Sequence, residues 1–189
     1  MIYPVDREAG RDKGIRSEMS SGLLEQIYIA ATESVAANGF HGVSMEDVAL
    51  RAGCSRATVY RRVGGKEAIR DVVLNQAVAR MTATVARAVD HLHGQERIAA
   101  VIITSLNAIR ADTVLAALLA GTAAACSVDS AVITRFAGTV AHLTGVPRDD
   151  TIACELISRV TLALLCWPVP DRDAETAMID RFVTPAVTV

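Results

Sequence analysis

The sequence predicts an all-α fold of about nine helices, and two observations support this prediction. Apolar residues recur at spacings of three and four along most of the 189 residues, which is the period of helices that bury one face. No proline stands between Pro4 and Pro147, and no stretch shows the sustained alternation that marks a strand. A hydrophobic content of 51% allows a sizeable core and excludes wholesale disorder.

The N-terminal part of the chain divides into an arm and a first helix. Residues 1–20 are polar, carry mixed charge and show no helical period, so we predict a flexible arm there. The first helix is expected from about Ser21 to Ala37, with Asn38 and Gly39 ending it. Its apolar face would bury the inner faces of two short helices that follow.

The segment 43–67 predicts two short helices joined by a tight turn. Ser44 is suited to cap the first of them, with Asp47 three residues on to complete a capping box. Gly53 can adopt the left-handed conformation that ends this helix, and Ser55 can cap the next. This is the outline of a helix-turn-helix that reads DNA. An ordinary helical hairpin has the same outline.

The second of these short helices concentrates side chains that suit phosphates and base edges. They are Arg56, Thr58, Tyr60, Arg61 and Arg62. From Ser44 to Lys66 there are five basic and two acidic residues, whereas after residue 70 there are nine basic and twelve acidic ones. A basic module joined to a mildly acidic body is what a DNA reader with a separate control domain would show. A solvated basic face is the plainer interpretation.

About ten positions between residues 23 and 75 resemble the DNA-binding domain of the TetR family of bacterial transcription regulators. They are Ser44, Val48-Ala49, Ala52-Gly53, Ser55, Thr58-Val59-Tyr60 and Lys66-Glu67. The resemblance implies a helix-turn-helix domain over 21–66 and a helical ligand-binding and dimerisation domain over 67–189. It also implies a ligand-responsive repressor that binds palindromic operator DNA.

The resemblance assigns expected roles to individual side chains. Ser44, Tyr60 and Lys66 are expected at phosphates. Base edges are expected to be read by Arg56, Ala57, Thr58 and either Arg61 or Arg62, with arginine suited to guanine and the Ala57 methyl to thymine. Departures from the family pattern stand at Arg62, Gly65 and Glu46. Glu46 would either accept from a cytosine amino group or face solvent and complement its helix N-terminus.

Helix four is expected from Gly65 or Lys66 to about Leu92, with an apolar face that includes Leu74, Val78, Met81, Val85 and Ala88. Because it would start beside the DNA module and run into the body, it is the natural mechanical link between them. Further helices are expected at roughly 96–109, 112–125, 129–144, 149–167 and 172–184.

The helix expected over 149–167 carries more apolar surface than one neighbour needs. It is either a central core helix or a dimer interface shared with the helix over 172–184. The resemblance favours a homodimer through these two helices. It further implies a pocket for a small, mostly apolar effector, which could be lined by Val101, Ile102, Leu106, Leu115, Leu118, Leu119 and Phe136, although each of these could equally be ordinary core.

Several other functions find little support in the sequence. The four cysteines lack metal-ligand spacing, so neither a metal nor a cofactor is expected. No apolar run is long enough to span a membrane, and the charged N-terminus is unlike a secretory peptide, which favours the cytoplasm. An all-helical enzyme or small-molecule carrier remains an alternative, although no catalytic motif is found. A thiol-based redox regulator using Cys54 or Cys126 is another.

Overall fold

A computed structural model describes residues 8–39, 42–123, 138–139, 142–147 and 149–187. These residues form helices and turns and contain no strand, as the sequence predicts. The chain divides into two compact units, Met1–Val73 and Leu74–Val189. The helices are α1 (Glu8–Asn38), α2 (Met45–Arg51), α3 (Arg56–Val63), α4 (Lys66–Val89), α5 (Gly94–Ala111), α6 (Thr113–Ala123), α7 (Thr151–Cys166) and α8 (Arg172–Met178), followed by a π-helical turn, Ile179–Val183.

The first unit is built around the inner face of α1. Ile27, Ala31 and Val35 on that helix are fully buried, and so are Val48 of α2 and Val59 of α3. The three helices pack against one another. A short two-helix segment buries too little apolar surface to be stable alone, so α1 supplies the core on which α2 and α3 are held.

The start of α1 differs from the sequence prediction. The helix begins at Glu8 instead of near Ser21, so the predicted start of the first helix was wrong. The physical reason is that no proline follows Pro4 in this region, and an existing helix extends without a further nucleation cost. Its end is as predicted, because Gly39 has a positive φ of 75° and its N–H bonds to the carbonyl of Val35 at 2.9 Å.

The long helix α4 is continuous across the division between the two units. Its 24 residues span about 36 Å at 1.5 Å per residue. The buried side chains recur every fourth residue, at Ile69, Val73, Ala77, Met81, Val85 and Val89. The predicted apolar face was therefore partly wrong: Met81 and Val85 are buried, but Ala88 is exposed and Leu74 and Val78 are half-buried.

The core of the second unit is formed by α5, α7 and the π-helical turn. Ile102, Leu106, Ile157 and Ile179 are all almost fully buried in it. α5 packs against α6, α7 and the π-helical turn. The helix expected over 129–144 lies mostly outside the described residues.

The sequence predicts a regular last helix up to residue 184. In the structure this helix instead widens into a π-helical turn after Met178. The Thr184 N–H bonds to the carbonyl of Ile179, five residues back, at 3.0 Å. The Thr184 hydroxyl donates to the same oxygen at 3.1 Å, and such side-chain bonds compete with the regular helical pattern.

Candidate nucleic-acid interface

The helix α2 is capped at both ends by local interactions. At its start the Ser44 hydroxyl accepts a hydrogen bond from the N–H of Glu46 at 3.3 Å. At its end Gly53 has φ +64°, its N–H bonds to Leu50 O at 3.2 Å, and the Cys54 N–H bonds to Ala49 O at 3.0 Å. This pair of bonds is the Schellman arrangement, which needs a left-handed residue at the glycine position. The predicted cap and turn are both confirmed.

Asp47 does not close the predicted capping box. Its Oδ1 accepts from Arg51 Nε at 2.9 Å, one turn along α2. The Ser34 hydroxyl on α1, followed by Arg51, lowers the pKa of the Asp47 carboxyl. Ser34 Oγ and Asp47 Oδ2 are both buried, and neither makes a hydrogen bond of full geometry. Arg51 also lies 3.6 Å from Glu33 of α1. Asp47 and Arg51 of α2 therefore both face α1.

The helix α3 begins at a second serine cap. Ser55 Oγ accepts from the N–H of Thr58 at 3.1 Å, and the two hydroxyls share a bond of 2.9 Å. Val59 of α3 is fully buried, so its side of the helix faces the core. The opposite face therefore points to solvent.

The structure distributes the predicted site residues over α3 and the helices beside it. Arg56, Ala57, Tyr60 and Arg61 are exposed. Arg56 and Tyr60 are four residues apart, as are Ala57 and Arg61, so the four side chains form two adjacent rows on one broad face. Arg62 is also exposed, on another side of the helix. Lys66, Ser44 and Thr58 are half-buried. The capping bonds of Ser44 and Thr58 show that these two side chains also have structural roles.

Arg56 is held by two contacts that come from different helices. Its Nη1 donates to Glu46 Oε1 of α2 at 2.6 Å. Its guanidinium carbon lies 5.5 Å from the centroid of the Tyr60 ring, within cation–π range. Tyr60 and then Glu46 raise the pKa of Arg56, so it remains a cation. Glu46 was expected at a cytosine or in solvent, and its contact with Arg56 was not predicted, because nothing local in the sequence links residues ten apart in two helices.

A separate cavity lies in the second unit, at the start of α5. It has a volume of about 490 Å³ and is lined by His93, Gly94, Arg97, Ile98, Thr144, Gly145, Val146, Pro147, Asp150 and Val187. Among the suggested pocket residues whose side chains the structure describes, none lines it. Val101, Ile102, Leu106 and Leu115 are buried core residues, and Leu119 is half-buried. The Leu118 side chain and Phe136 lie outside the described residues.

Arg97 connects this cavity to the end of α4. Its Nη1 donates to the carbonyls of Val89 at 2.9 Å and Leu92 at 3.2 Å, where α4 ends. Its Nε donates to the carbonyl of Leu143 at 2.7 Å. The guanidinium thus bonds carbonyls at and just after the end of α4, although the Val89 carbonyl also accepts from the Leu92 N–H at 3.0 Å.

The helices at the C-terminal end expose several large apolar side chains. Ile152 is 81% exposed, Trp167 68% and Phe182 65%, and Leu156 and Met178 are also exposed. Their neighbours Ile157, Thr161, Ile179 and Val183 are instead buried in the core. The apolar surface that the sequence attributes to this region is therefore divided between a core face and a solvent face.

The described part of the chain contains no group of three metal-ligating side chains. None of its helices is long and apolar enough to cross a membrane. Cys54 is a half-buried free thiol, and Cys126 lies outside the described residues. Burial, followed by the charge of Asp150, raises the pKa of the Cys154 thiol, which disfavours the reactive thiolate.

Comparison with known proteins adds independent findings. A family model described as "Bacterial regulatory proteins, tetR family" matches residues 27–73. An uncharacterised HTH-type transcriptional regulator of Mycobacterium tuberculosis is 32% identical over 155 residues, which cover 77% of this chain and 76% of that protein.

Two solved structures share the fold at 17% identity. The TetR family repressor AlkX from Dietzia, implicated in biodegradation of n-alkanes, has a TM-score of 0.57 over 87% of this chain and 95% of that one. AibR, solved with isovaleryl coenzyme A and operator DNA, has a TM-score of 0.56 over 82% of this chain and 97% of that one.

Proposed function

Because the chain belongs to the TetR family of bacterial transcriptional regulators, we propose that it is a repressor that binds a palindromic operator as a homodimer and leaves it when a small effector binds. It acts by binding and release and not by turnover of a substrate. The observation that carries the proposal is the exposed face of α3, which presents Arg56, Ala57, Tyr60 and Arg61 to solvent while Val59 of the same helix is buried.

Each side chain on that face has a role suited to DNA. An arginine can bond the O6 and N7 atoms of guanine, and an alanine methyl can contact thymine. We assign Arg56, Ala57 and one of Arg61 and Arg62 to base edges. Ser44, Tyr60 and Lys66 are assigned to phosphates, which position a reading helix without carrying sequence information. Thr58 is also assigned to a base edge, but its hydroxyl is already bonded to Ser55, so we expect it to contribute less than the arginines.

The experiment is selection of duplexes from a randomised library with the purified protein. We expect an inverted repeat with half-sites about 34 Å apart, bound roughly a thousandfold more tightly than a scrambled duplex. Arg61→Ala should weaken binding, whereas Arg87→Ala, which removes an exposed arginine of α4, should not. Failure to enrich any sequence, or equal losses in both variants, would contradict the proposal.

Dimerisation is supported by the apolar side chains that α7, α8 and the π-helical turn expose to solvent. Monomeric proteins rarely expose large apolar side chains in contiguous patches, and such patches mark interaction sites. A two-fold dimer uses the same patch on both subunits. The surface formed by Ile152, Leu156, Trp167, Met178 and Phe182 is the proposed interface.

We assign the effector to the cavity beside Arg97. Ile98, Val146, Pro147 and Val187 give it an apolar wall, which suits a mostly apolar compound. Because Arg97 also bonds the carbonyls at the end of α4, a compound that displaces this guanidinium would free that helix end. The continuity of α4 from Lys66 to Val89 gives the change a route to the DNA-reading unit.

A further inference from the structure

The ion pair between Glu46 and Arg56 joins the two helices of the helix-turn-helix on its solvent side. We propose that Glu46 is a specificity-determining positioning residue. It orients Arg56 toward a guanine before DNA binds, and its charge weakens binding to DNA of other sequence. The inference rests on the proposed function, and it concerns a position where this chain departs from the pattern of the family.

The geometry leaves part of the guanidinium available to a base. Arginine carries five N–H donors, and the bond to Glu46 uses Nη1 only. The centroid of the Tyr60 ring lies 5.5 Å from the guanidinium carbon, and this contact limits how the guanidinium plane can be oriented. With one end bonded and the plane restricted, the remaining donors can bond the O6 and N7 atoms of a guanine.

The fold has little need of this ion pair. The side chains are 55% exposed at Arg56 and 72% exposed at Glu46, and ion pairs at this exposure contribute little to stability. The contact between α2 and α3 rests instead on the buried Val48 and Val59 and on the turn at Gly53. A functional role therefore explains the pair better than a structural one.

Ordering Arg56 before DNA arrives favours the correct base. A long side chain that is already fixed loses less conformational freedom on binding, and this gain is realised only where the base matches its geometry. The carboxylate also repels phosphates, on which binding to DNA of any sequence depends. Both effects raise the ratio of operator binding to non-specific binding.

The test uses the full chain, the duplex selected from the randomised library, single-base variants of that duplex and a scrambled duplex. Glu46→Gln keeps the size of the side chain and removes its charge. We expect the preference for guanine at one position of each half-site to fall by about 2- to 12-fold, the range for one pre-ordered side chain. Binding to the scrambled duplex should tighten. The slope of log binding constant against log salt concentration should become steeper by about one unit.

Two controls separate positioning from simple charge. In an Arg56→Ala background, Glu46→Gln should leave the base preference unchanged. Glu33→Gln, which also removes an exposed carboxylate near an arginine of the same unit, should leave it unchanged as well.

The inference is overturned if Glu46→Gln keeps the guanine preference or shifts every duplex as Glu33→Gln does. It is also overturned if Glu46→Gln loses a preference for cytosine in the Arg56→Ala background, since Glu46 would then read a base directly. Wild-type protein that binds selected and scrambled duplexes equally would overturn the inference together with the proposed function.

Discussion

At the residue scale, the contacts of Arg56 and Tyr60 suit the two side chains to different kinds of proposed DNA contact. The guanidinium is directed by Glu46 and by the Tyr60 ring, so its donors have a defined direction, as base readout requires. The Tyr60 phenol instead suits a phosphate, because a single hydroxyl carries little sequence information. Substitutions at these two positions should therefore differ in their dependence on operator sequence.

We expect Arg56→Ala to weaken operator binding by about 5- to 150-fold and to relax the preference at one base position. Tyr60→Phe should weaken binding to all base-substituted operators about equally, since it removes the hydroxyl and keeps the ring beside Arg56. Fluorescence anisotropy at fixed salt measures both variants over the same set of duplexes. Equal losses across that set for Arg56→Ala would show that Arg56 contacts only the backbone.

At the scale of elements, a buried ion pair joins helices of the second unit. Arg110 of α5 bonds both carboxylate oxygens of Glu175 at 2.8 and 2.7 Å and also the carbonyl of Leu164 on α7. The two side chains are only 18% and 6% exposed. Arg172 lies 3.2 Å from the same carboxylate. The Arg110–Glu175 pair therefore joins α5 to α8, and Arg110 also joins α5 to α7.

Glu175→Ala should lower the free energy of unfolding by about 3–5 kcal/mol, because it leaves the Arg110 guanidinium buried without its counter-ion. Chemical denaturation followed by circular dichroism measures the loss. The matched control is Glu155→Ala, which removes one partner of the exposed pair with Arg159 on α7 and should change stability by less than about 1 kcal/mol. Similar losses in the two variants would contradict the role of burial.

The start of α6 depends on a carboxylate whose charge matters. Asp112 accepts from the N–H groups of Val114 and Leu115 at 3.0 and 3.1 Å and from Arg80 at 2.9 Å. Burial acts to raise the pKa of Asp112, but these bonds together lower it below the ordinary value of 3.8. The carboxylate therefore stabilises the fold fully when the pH is above 3.8, and this contribution is lost as the pH falls through the lowered pKa.

We expect wild-type protein to be more stable than Asp112→Asn at neutral pH, with a difference that shrinks as the pH falls below 3.8. Thermal unfolding at pH 7 and at successively lower pH measures the difference. Comparing the two proteins cancels the titration of other carboxyl groups. A difference that stays constant as the pH falls would show that the charge of Asp112 has no part in the effect.

At the scale of the whole molecule, assembly should follow from the exposed apolar surface of the last helices. Sedimentation equilibrium at micromolar concentration should give about twice the chain mass of 20.0 kDa. Phe182→Glu places a charge on the proposed interface and should shift the protein toward monomer and weaken operator binding. Ile29→Glu, at an exposed position of α1, should leave the dimer intact. A wild-type monomer would contradict both the dimer and the palindromic operator.

Control by an effector is also a property of the whole molecule. A compound bound in the cavity beside Arg97 should lower operator affinity by about 5- to 150-fold, and linkage requires operator DNA to weaken that compound's binding by the same factor. Medium-chain fatty acids serve as the first mostly apolar probes, titrated with and without operator at fixed salt. Arg97→Met should reduce the coupling more than the binding. A bound probe that leaves operator affinity unchanged would show that the cavity is not a control site.

The sequence by itself determined the helix-turn-helix and the all-α fold, because their signals are local. The serine caps at Ser44 and Ser55 and the left-handed Gly53 act within one turn of the chain. Apolar residues at helical spacing predicted the later helices, although the buried face of α4 was only partly right. A run of apolar residues shows that a face is buried but not which of two adjacent faces meets a neighbour.

Only the tertiary structure decided which partners the charged side chains meet. Glu46 lies ten residues from Arg56, Arg97 lies 46 residues from Leu143, and Arg110 lies 65 residues from Glu175. Such pairs form because packed helices bring distant side chains together, and no local preference encodes them. The same packing decided that Ile157 enters the core while Ile152 faces solvent, since both are isoleucines on one helix and only the position of the neighbours distinguishes them.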